Sequence, residues 1–147
     1  MPLDFLFGRD EIFLYLSNTN VRIGNARISV TAAENDKDLW IVEHELEITE
    51  KEGRQTIKTI SKVDKQLRTH SYEEKLSIEN DIIYSTSVSL DIESGIYSVS
   101  ESRDGVEFSQ ESFKSQHSYP ILFSGKYSII SLSIYIEFKR LCLIDQV

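Results

Sequence analysis

Three observations on the sequence predict an all-β fold, an antiparallel meander of about eight to ten strands. Apolar and polar residues alternate with a period of two over most of the chain. Short polar segments containing Gly, Asn or Asp separate the alternating stretches, as turns do in hairpins. No stretch keeps apolar residues at the period of a helix. Residues 1–147 are therefore interpreted as a single β domain, a barrel or a curved half-barrel, with a β-sandwich as the alternative.

The clearest alternation lies in residues 38–63, around which the rest of the chain is organised. Successive strand residues point to opposite faces of a sheet, so one face is predicted to be apolar and the other acidic. The apolar face carries Trp40, Val42, His44, Leu46 and Ile48, and the acidic face carries Glu43, Glu45 and Glu47. A polar run then predicts a hairpin loop in which Gly53 adopts a positive φ.

The segments on either side of residue 33 are less regular. Residues 11–16 predict a first strand, and the apolar positions of residues 21–30 change parity across Gly24 and Asn25. A change of parity predicts a β-bulge or a sharp bend there, and two short strands joined at Gly24 are the alternative. Residues 67–76 suit either an edge strand or a helical turn, and we favour the strand.

Three further strands are predicted over roughly residues 81–92, 95–102 and 105–113. The pair Asp104-Gly105 between alternating runs is a strong hairpin signal. Tyr84 and Val88 share the predicted apolar face of the first of these strands with Ile82 and Ile92. A last long strand is predicted within residues 129–138, where Leu132 and Ile134 lie on one face.

Composition excludes several classes of function. The formal net charge is −8, and no run of Lys and Arg occurs, so binding to nucleic acid is not expected. Cys142 is the single cysteine, which rules out a disulfide within the chain. No signal peptide or membrane-spanning helix is predicted. The sequence as written predicts a soluble, cytoplasmic protein, and a periplasmic protein whose export signal has been removed would look the same.

No pattern of residues predicts an enzyme, a cofactor or a metal site. His44 on the apolar face is interpreted as a core histidine in preference to a ligand or a proton shuttle. The three histidines lack the spacing of a zinc site. The row of glutamates is interpreted as a solvated outer face paired with Lys or Arg of neighbouring strands. The serines of the later strands lack a nucleophile motif and suit a half-polar sheet face.

The run from Val21 to Val30 resembles the opening of a group of uncharacterised bacterial envelope proteins, which carry an Ile-Gly step in an early strand. A later segment of the kind found at residues 61–72 often follows in those proteins. They are similar to the lipoprotein carrier fold, a curved antiparallel half-barrel whose concave face holds acyl chains. The resemblance implies a shape, and no functional residue is transferred from it.

The sequence therefore predicts a non-enzymatic protein that binds an apolar, lipid-like ligand or a protein partner on a concave face. The candidate cavity residues are those of the clean apolar faces: Trp40, Val42, His44, Leu46, Tyr84, Val88, Leu132 and Ile134. The alternative is a structural domain of the sandwich type that assembles into a homo-oligomer, in which these faces pack on each other.

Overall fold

A computed structural model describes residues 8–15, 18–36, 38–50, 53–66 and 68–114, and these residues form β-strands and their connections, with no helix. The strands are β1 (Gly8–Tyr15), β2 (Arg22–Ala32), β3 (Leu39–Glu50), β4 (Gly53–Asp64), β5 (Thr69–Ile78), β6 (Asp81–Asp91), β7 (Ile96–Arg103) and β8 (Val106–Lys114). The predicted all-β fold class is confirmed. The predicted strand at residues 129–138 lies outside the described residues.

All eight strands belong to one sheet in the order β1-β2-β3-β4-β5-β6-β7-β8, and each strand is antiparallel to the next. Within the described residues β1 and β8 do not pair with each other, so the sheet is open there and is not closed into a barrel. An open antiparallel meander is compatible with the curved half-barrel and with the sandwich.

The turns agree with the predicted hairpins. Gly53 has a φ of 124° at the first residue of β4, a conformation that residues with a Cβ rarely adopt. Asp104 and Gly105 connect β7 to β8 with φ values of 51° and 80°. Positive φ at both central residues is the signature of the type I′ turn, whose twist matches that of a two-stranded hairpin. The segment interpreted as strand or helical turn is strand β5.

The predicted irregularity near Gly24 is a β-bulge. Leu14 pairs with Gly24 and Tyr15 pairs with Arg22, which leaves Ile23 as the extra residue of β2. Strand β2 continues through the bulge, so the alternative of two short strands is excluded. A Cβ on Gly24 would lie 2.0 Å from the carbonyl oxygen of Glu47, so only glycine fits where β2 approaches β3.

A second bulge corrects the predicted face of Ile82. Leu76 pairs with Tyr84 while Ser77 pairs with Ile82, so Ile83 is the extra residue and the parity of β6 changes there. Ile82 is 50% exposed as a result, although alternation had placed it beside Tyr84 on the apolar face. Ile92, assigned to the same face, follows the end of β6 in a turn and is 62% exposed.

The core lies on one face of the sheet, which we call the buried face. Its buried hydrophobic side chains come from β2 through β7 and are Ala26, Ile28, Val30, Trp40, Val42, Leu46, Val63, Tyr72, Tyr84, Val88 and Tyr97. Tyr72, Val88 and Tyr97 form a cluster against which Leu90 and Val99 pack. The opposite face of the same strands, which we call the outer face, is largely polar and partly or fully exposed.

Candidate functional site

The predicted cavity residues that the structure describes share the buried face. Their exposed fractions lie between 1% and 5%, and they are Trp40, Val42, His44 and Leu46 of β3 with Tyr84 and Val88 of β6. Alternation therefore identified the correct face of both strands, although two other strands, β4 and β5, separate them in sequence. Leu132 and Ile134 lie outside the described residues.

Cross-strand pairing joins the two groups into rows that cross the strands and are mainly apolar. One row runs from Val42 through Ser61 and Tyr72 to Val88 and Val99. A second row, four residues away from the first along each strand, runs from Leu46 through Ile57 and Leu76 to Tyr84. Residues that are paired across antiparallel strands have their Cβ atoms close together on one face. The buried face thus offers two mainly apolar rows that cross the strands.

A third row, polar in character, lies between the two apolar rows, and we call it the polar row. Each of the six strands from β3 to β8 contributes one residue to it, and each residue pairs with the next across the sheet. These residues are His44, Thr59, Glu74, Thr86, Glu101 and Ser109. His44 is 3% exposed, Thr59 is 6% exposed and Glu74 is fully covered. Polar groups removed from water need hydrogen-bond partners, so this row is costly unless it is satisfied internally.

Tyrosines of the flanking rows supply hydrogen bonds to the polar row. The hydroxyl of Tyr72 donates to Oε2 of Glu74 over 2.9 Å. The hydroxyl of Thr86 donates to the hydroxyl oxygen of Tyr84 over 2.9 Å, and the hydroxyl of Tyr84 donates to Oε1 of Glu101. Burial, together with the hydrogen bond to Glu101, raises the pKa of Tyr84 above its usual value. Both carboxylates are therefore paired with phenols from the apolar rows.

His44 is a buried histidine on this face. Burial lowers the pKa of His44 below its usual value, because removal from water disfavours the charged form. The side chain is therefore neutral at pH 7 and suits an apolar surrounding. This is the behaviour expected of the core histidine that the sequence indicated.

A pocket of about 300 Å³ lies on the outer face over β1 to β4. Arg9, Arg27, Glu43, Glu45 and Lys58 are among the residues that line it. Arg27 and Glu45 face each other across β2 and β3 and form an ion pair, which confirms the predicted pairing for that glutamate. Pairs of long, partly exposed side chains with opposite charges are typical of a solvated sheet surface.

A larger pocket, of about 390 Å³, lies at the end of the strands where β3 begins and β4 ends, and we call it the strand-end pocket. Leu39, Asp64, Arg68, His70 and Ile92 contribute to its lining. Its residues come from the ends of β3, β4 and β5 and from three connections, those between β2 and β3, β4 and β5, and β6 and β7. It therefore lies at one end of the sheet and joins loops that are distant in sequence.

Asp64 organises the turn beside the strand-end pocket. Its Oδ1 accepts from the backbone N–H groups of Gln66 and Arg68, each over 2.9 Å. Its Oδ2 accepts from Nε of Arg68 over 2.9 Å and lies 2.8 Å from Nε2 of His70. Burial alone would raise the pKa of Asp64, but the hydrogen bonds from Arg68 and His70 outweigh it and lower that pKa below its usual value. The turn is thus held by an ionised carboxylate.

Two of these features were missed by reasoning from the sequence. The polar row depends on the register between strands, which alternation within one strand does not contain. Even positions of β5 do carry Tyr72, Glu74 and Leu76, so a strand interpretation applied strictly would have placed Glu74 on the apolar face. The polar pair Asp64-Lys65 after the β-branched stretch was the available signal for a turn there, because an Asp side chain can accept a hydrogen bond from the backbone two residues on.

The described residues contain neither a cluster of metal-binding side chains nor a membrane-spanning helix. These residues contain no group of three or more His, Cys, Asp or Glu side chains placed to hold a metal ion. They also form no helix that is long and apolar enough to cross a membrane.

Comparisons of the chain with protein-family models, with curated proteins and with solved structures found no match. The resemblance to the envelope proteins therefore stays a prediction.

Proposed function

We propose that this protein is a non-enzymatic carrier that encloses an apolar, lipid-like ligand against its buried face. The observation that carries the proposal is the continuity of that face: apolar side chains from six consecutive strands form one surface in an open sheet. Apolar lining with a few fixed polar groups is the usual chemistry of a ligand site. The polar row supplies such groups between the two apolar rows.

The side chains of this face are already covered, since none of the predicted cavity residues in the structure is more than 5% exposed. A ligand must therefore occupy an enclosed space or displace what covers the face. Either route costs packing energy, so we expect modest affinity, about micromolar, which corresponds to roughly −8 kcal/mol.

Native mass spectrometry of freshly purified protein tests the proposal most directly, because a carrier retains part of its cargo. We expect a mass increment of a lipid-like molecule that disappears after organic extraction. A fluorescent fatty acid should then bind the extracted protein. Protein that carries no increment and binds no fatty acid would contradict the proposal.

A pair of neighbouring variants locates the ligand. Val88 lies on the buried face and is 3% exposed, whereas Ser87 is exposed on the outer face. Val88→Phe fills volume without adding charge, so it should weaken fatty-acid binding, and Ser87→Phe should not. Circular dichroism must show that both variants are folded. Equal affinities for two folded variants would place the ligand elsewhere.

A second candidate function is that of an assembly domain that forms a homo-oligomer. Strand β8 favours it, because its large apolar side chains are uncovered: Val106 is 68% exposed, Phe108 is 55% exposed and Phe113 is 42% exposed. Exposed apolar clusters frequently mark contacts between proteins. Sedimentation velocity should show a dimer that Phe108→Ser converts to monomer if this function is correct. A wild-type monomer at high concentration would exclude it.

A further inference from the structure

The strand-end pocket lies directly beyond the apolar end of the buried face. Leu39 and Asp64, which line the pocket, pair with each other across β3 and β4. The next pair inward is Trp40 and Val63, whose exposed fractions are 4% and 1%. The residues that line the pocket at the ends of β3 and β4 are therefore the direct neighbours in sequence of two core residues.

Electrostatics also connect the pocket with the core cluster. Tyr97, 3% exposed, belongs to the cluster with Tyr72 and Val88. Burial raises the pKa of Tyr97, while the charge of Arg68 lowers it and that of Asp64 raises it. Register places the pocket beside the buried face at the ends of β3 and β4.

The lining of the pocket is amphipathic. Leu39 and Ile92 contribute apolar surface, and the side chain of Ile92 is 62% exposed at this position. Arg68 and Lys65 contribute positive charge, with side chains that are 47% and 63% exposed. An opening that combines apolar surface with a charged rim is suited to a molecule with an apolar body and a charged end.

The acidic groups of the pocket are committed to partners within it. Asp64 accepts from Arg68 and His70, Asp38 pairs with Nζ of Lys65 over 2.9 Å, and Oδ1 of Asp36 accepts from the backbone N–H of Asp38. Arg68 donates to Asp64 through Nε, and its two terminal nitrogens make no hydrogen bond to another residue of the described ranges. A guanidinium with free terminal donors is well matched to the two oxygens of a carboxylate.

We propose that the strand-end pocket is the entrance to the buried face and that the ligand is a long-chain carboxylate whose carboxylate group binds the terminal nitrogens of Arg68. This inference rests on the proposed carrier function. The acyl chain then extends from the pocket past Trp40 and Val63 along the apolar rows. The carboxylate remains at the end of the sheet, where water and Arg68 both reach it.

Trp40 is the only tryptophan of the chain, so its fluorescence reports contact at one known place beside the pocket. Bromine quenches tryptophan at short range. We expect 2-bromododecanoic acid, brominated beside the carboxylate, to quench Trp40 more strongly at saturation than 12-bromododecanoic acid, brominated at the far end. The opposite order would place the carboxylate away from the pocket and overturn the inference.

The charge of the ligand is tested with dodecanoic acid and dodecan-1-ol, which have the same chain. Loss of one charge-assisted hydrogen bond should make the alcohol bind the wild-type protein about tenfold more weakly. Arg68→Gln should weaken binding of the acid by a similar factor and leave binding of the alcohol unchanged. Arg103→Gln is the matched control, because Arg103 lies at the opposite end of the strands beside Phe108 and should affect neither ligand.

The outcomes separate the two proposals. Binding of acid and alcohol with equal affinity, and equal quenching by the two bromo acids, would overturn the entrance while the carrier function stands. Binding of neither ligand would overturn both. Since Arg68→Gln also removes a hydrogen bond to Asp64, its thermal transition must be measured, and the comparisons made on the wild-type protein decide the question if that variant does not fold.

Discussion

Trp40 and Glu43 lie three residues apart on β3 and point to opposite faces of the sheet. Trp40 is 4% exposed among apolar neighbours, and Glu43 is exposed. We expect Trp40→Ala to lower the free energy of unfolding by about 3–5 kcal/mol, the usual cost of a large-to-small change in a core. Glu43→Ala should change it by no more than about 0.5 kcal/mol. Urea denaturation measures both, and similar costs would mean that the faces are wrongly assigned.

Asp64 gives the protein a dependence on pH. Because its pKa is lower in the folded than in the unfolded state, its ionised form stabilises the fold above the unfolded pKa. That stabilisation is lost as the pH falls through the folded pKa. Asp64→Asn should therefore be less stable than the wild type at pH 7 and should lose less stability between pH 7 and pH 3.

The measurement is urea denaturation of both proteins over that range of pH, with the difference between them as the readout. The histidine of the buried face acts in the same direction, since burial lowers the pKa of His44 as well. Both proteins share that contribution, so it cancels in the difference. A difference that does not shrink towards acid pH would show that the carboxylate is not responsible.

At the scale of the strands, Gly24 and Gly105 demand glycine for different reasons. Gly24→Ala would place a Cβ 2.0 Å from a backbone oxygen of β3, which neither strand can avoid without moving. Gly105 has nothing within 4 Å of such a Cβ but adopts a φ of 80°. Gly105→Ala should therefore cost only the backbone strain, about 1–2 kcal/mol.

Gly24→Ala should lower the free energy of unfolding more than Gly105→Ala does. The added Cβ clashes with the backbone of β3, so β2 and β3 must move apart. Thermal and urea denaturation of the two variants compare the costs. If Gly24→Ala were the milder of the two, the bulge at Ile23 would have to absorb the displacement, and the assigned register of β1 and β2 would need revision.

The strands themselves were predictable from the sequence because alternation is a local property of each segment. Trp40, Leu46 and Val88 were placed on the correct face for this reason. Ile82 was misplaced because a bulge depends on the partner strand, and nothing within residues 82–92 reveals that Ile83 is an extra residue. The polar row was missed for a related reason, since it exists only once the register of six strands is set.

At the scale of the molecule, the described residues contain eight strands and no helix. We expect far-UV circular dichroism of the full chain to be dominated by β-structure, with helix below roughly 15%, about half of what soluble domains commonly contain. Because Trp40 is buried, the emission maximum of the folded protein should also lie at shorter wavelength than that of the denatured protein. A helix content near one third would contradict the fold class.

The order of the strands has a consequence for how the protein acquires its structure. Every strand of the described sheet pairs with the strand that precedes or follows it in sequence, so each pairing closes only a short loop. Short loops cost little chain entropy, and topologies rich in local contacts fold faster than those that join distant segments. During synthesis on the ribosome, each new strand can add to the preceding one as soon as it emerges, without waiting for the end of the chain.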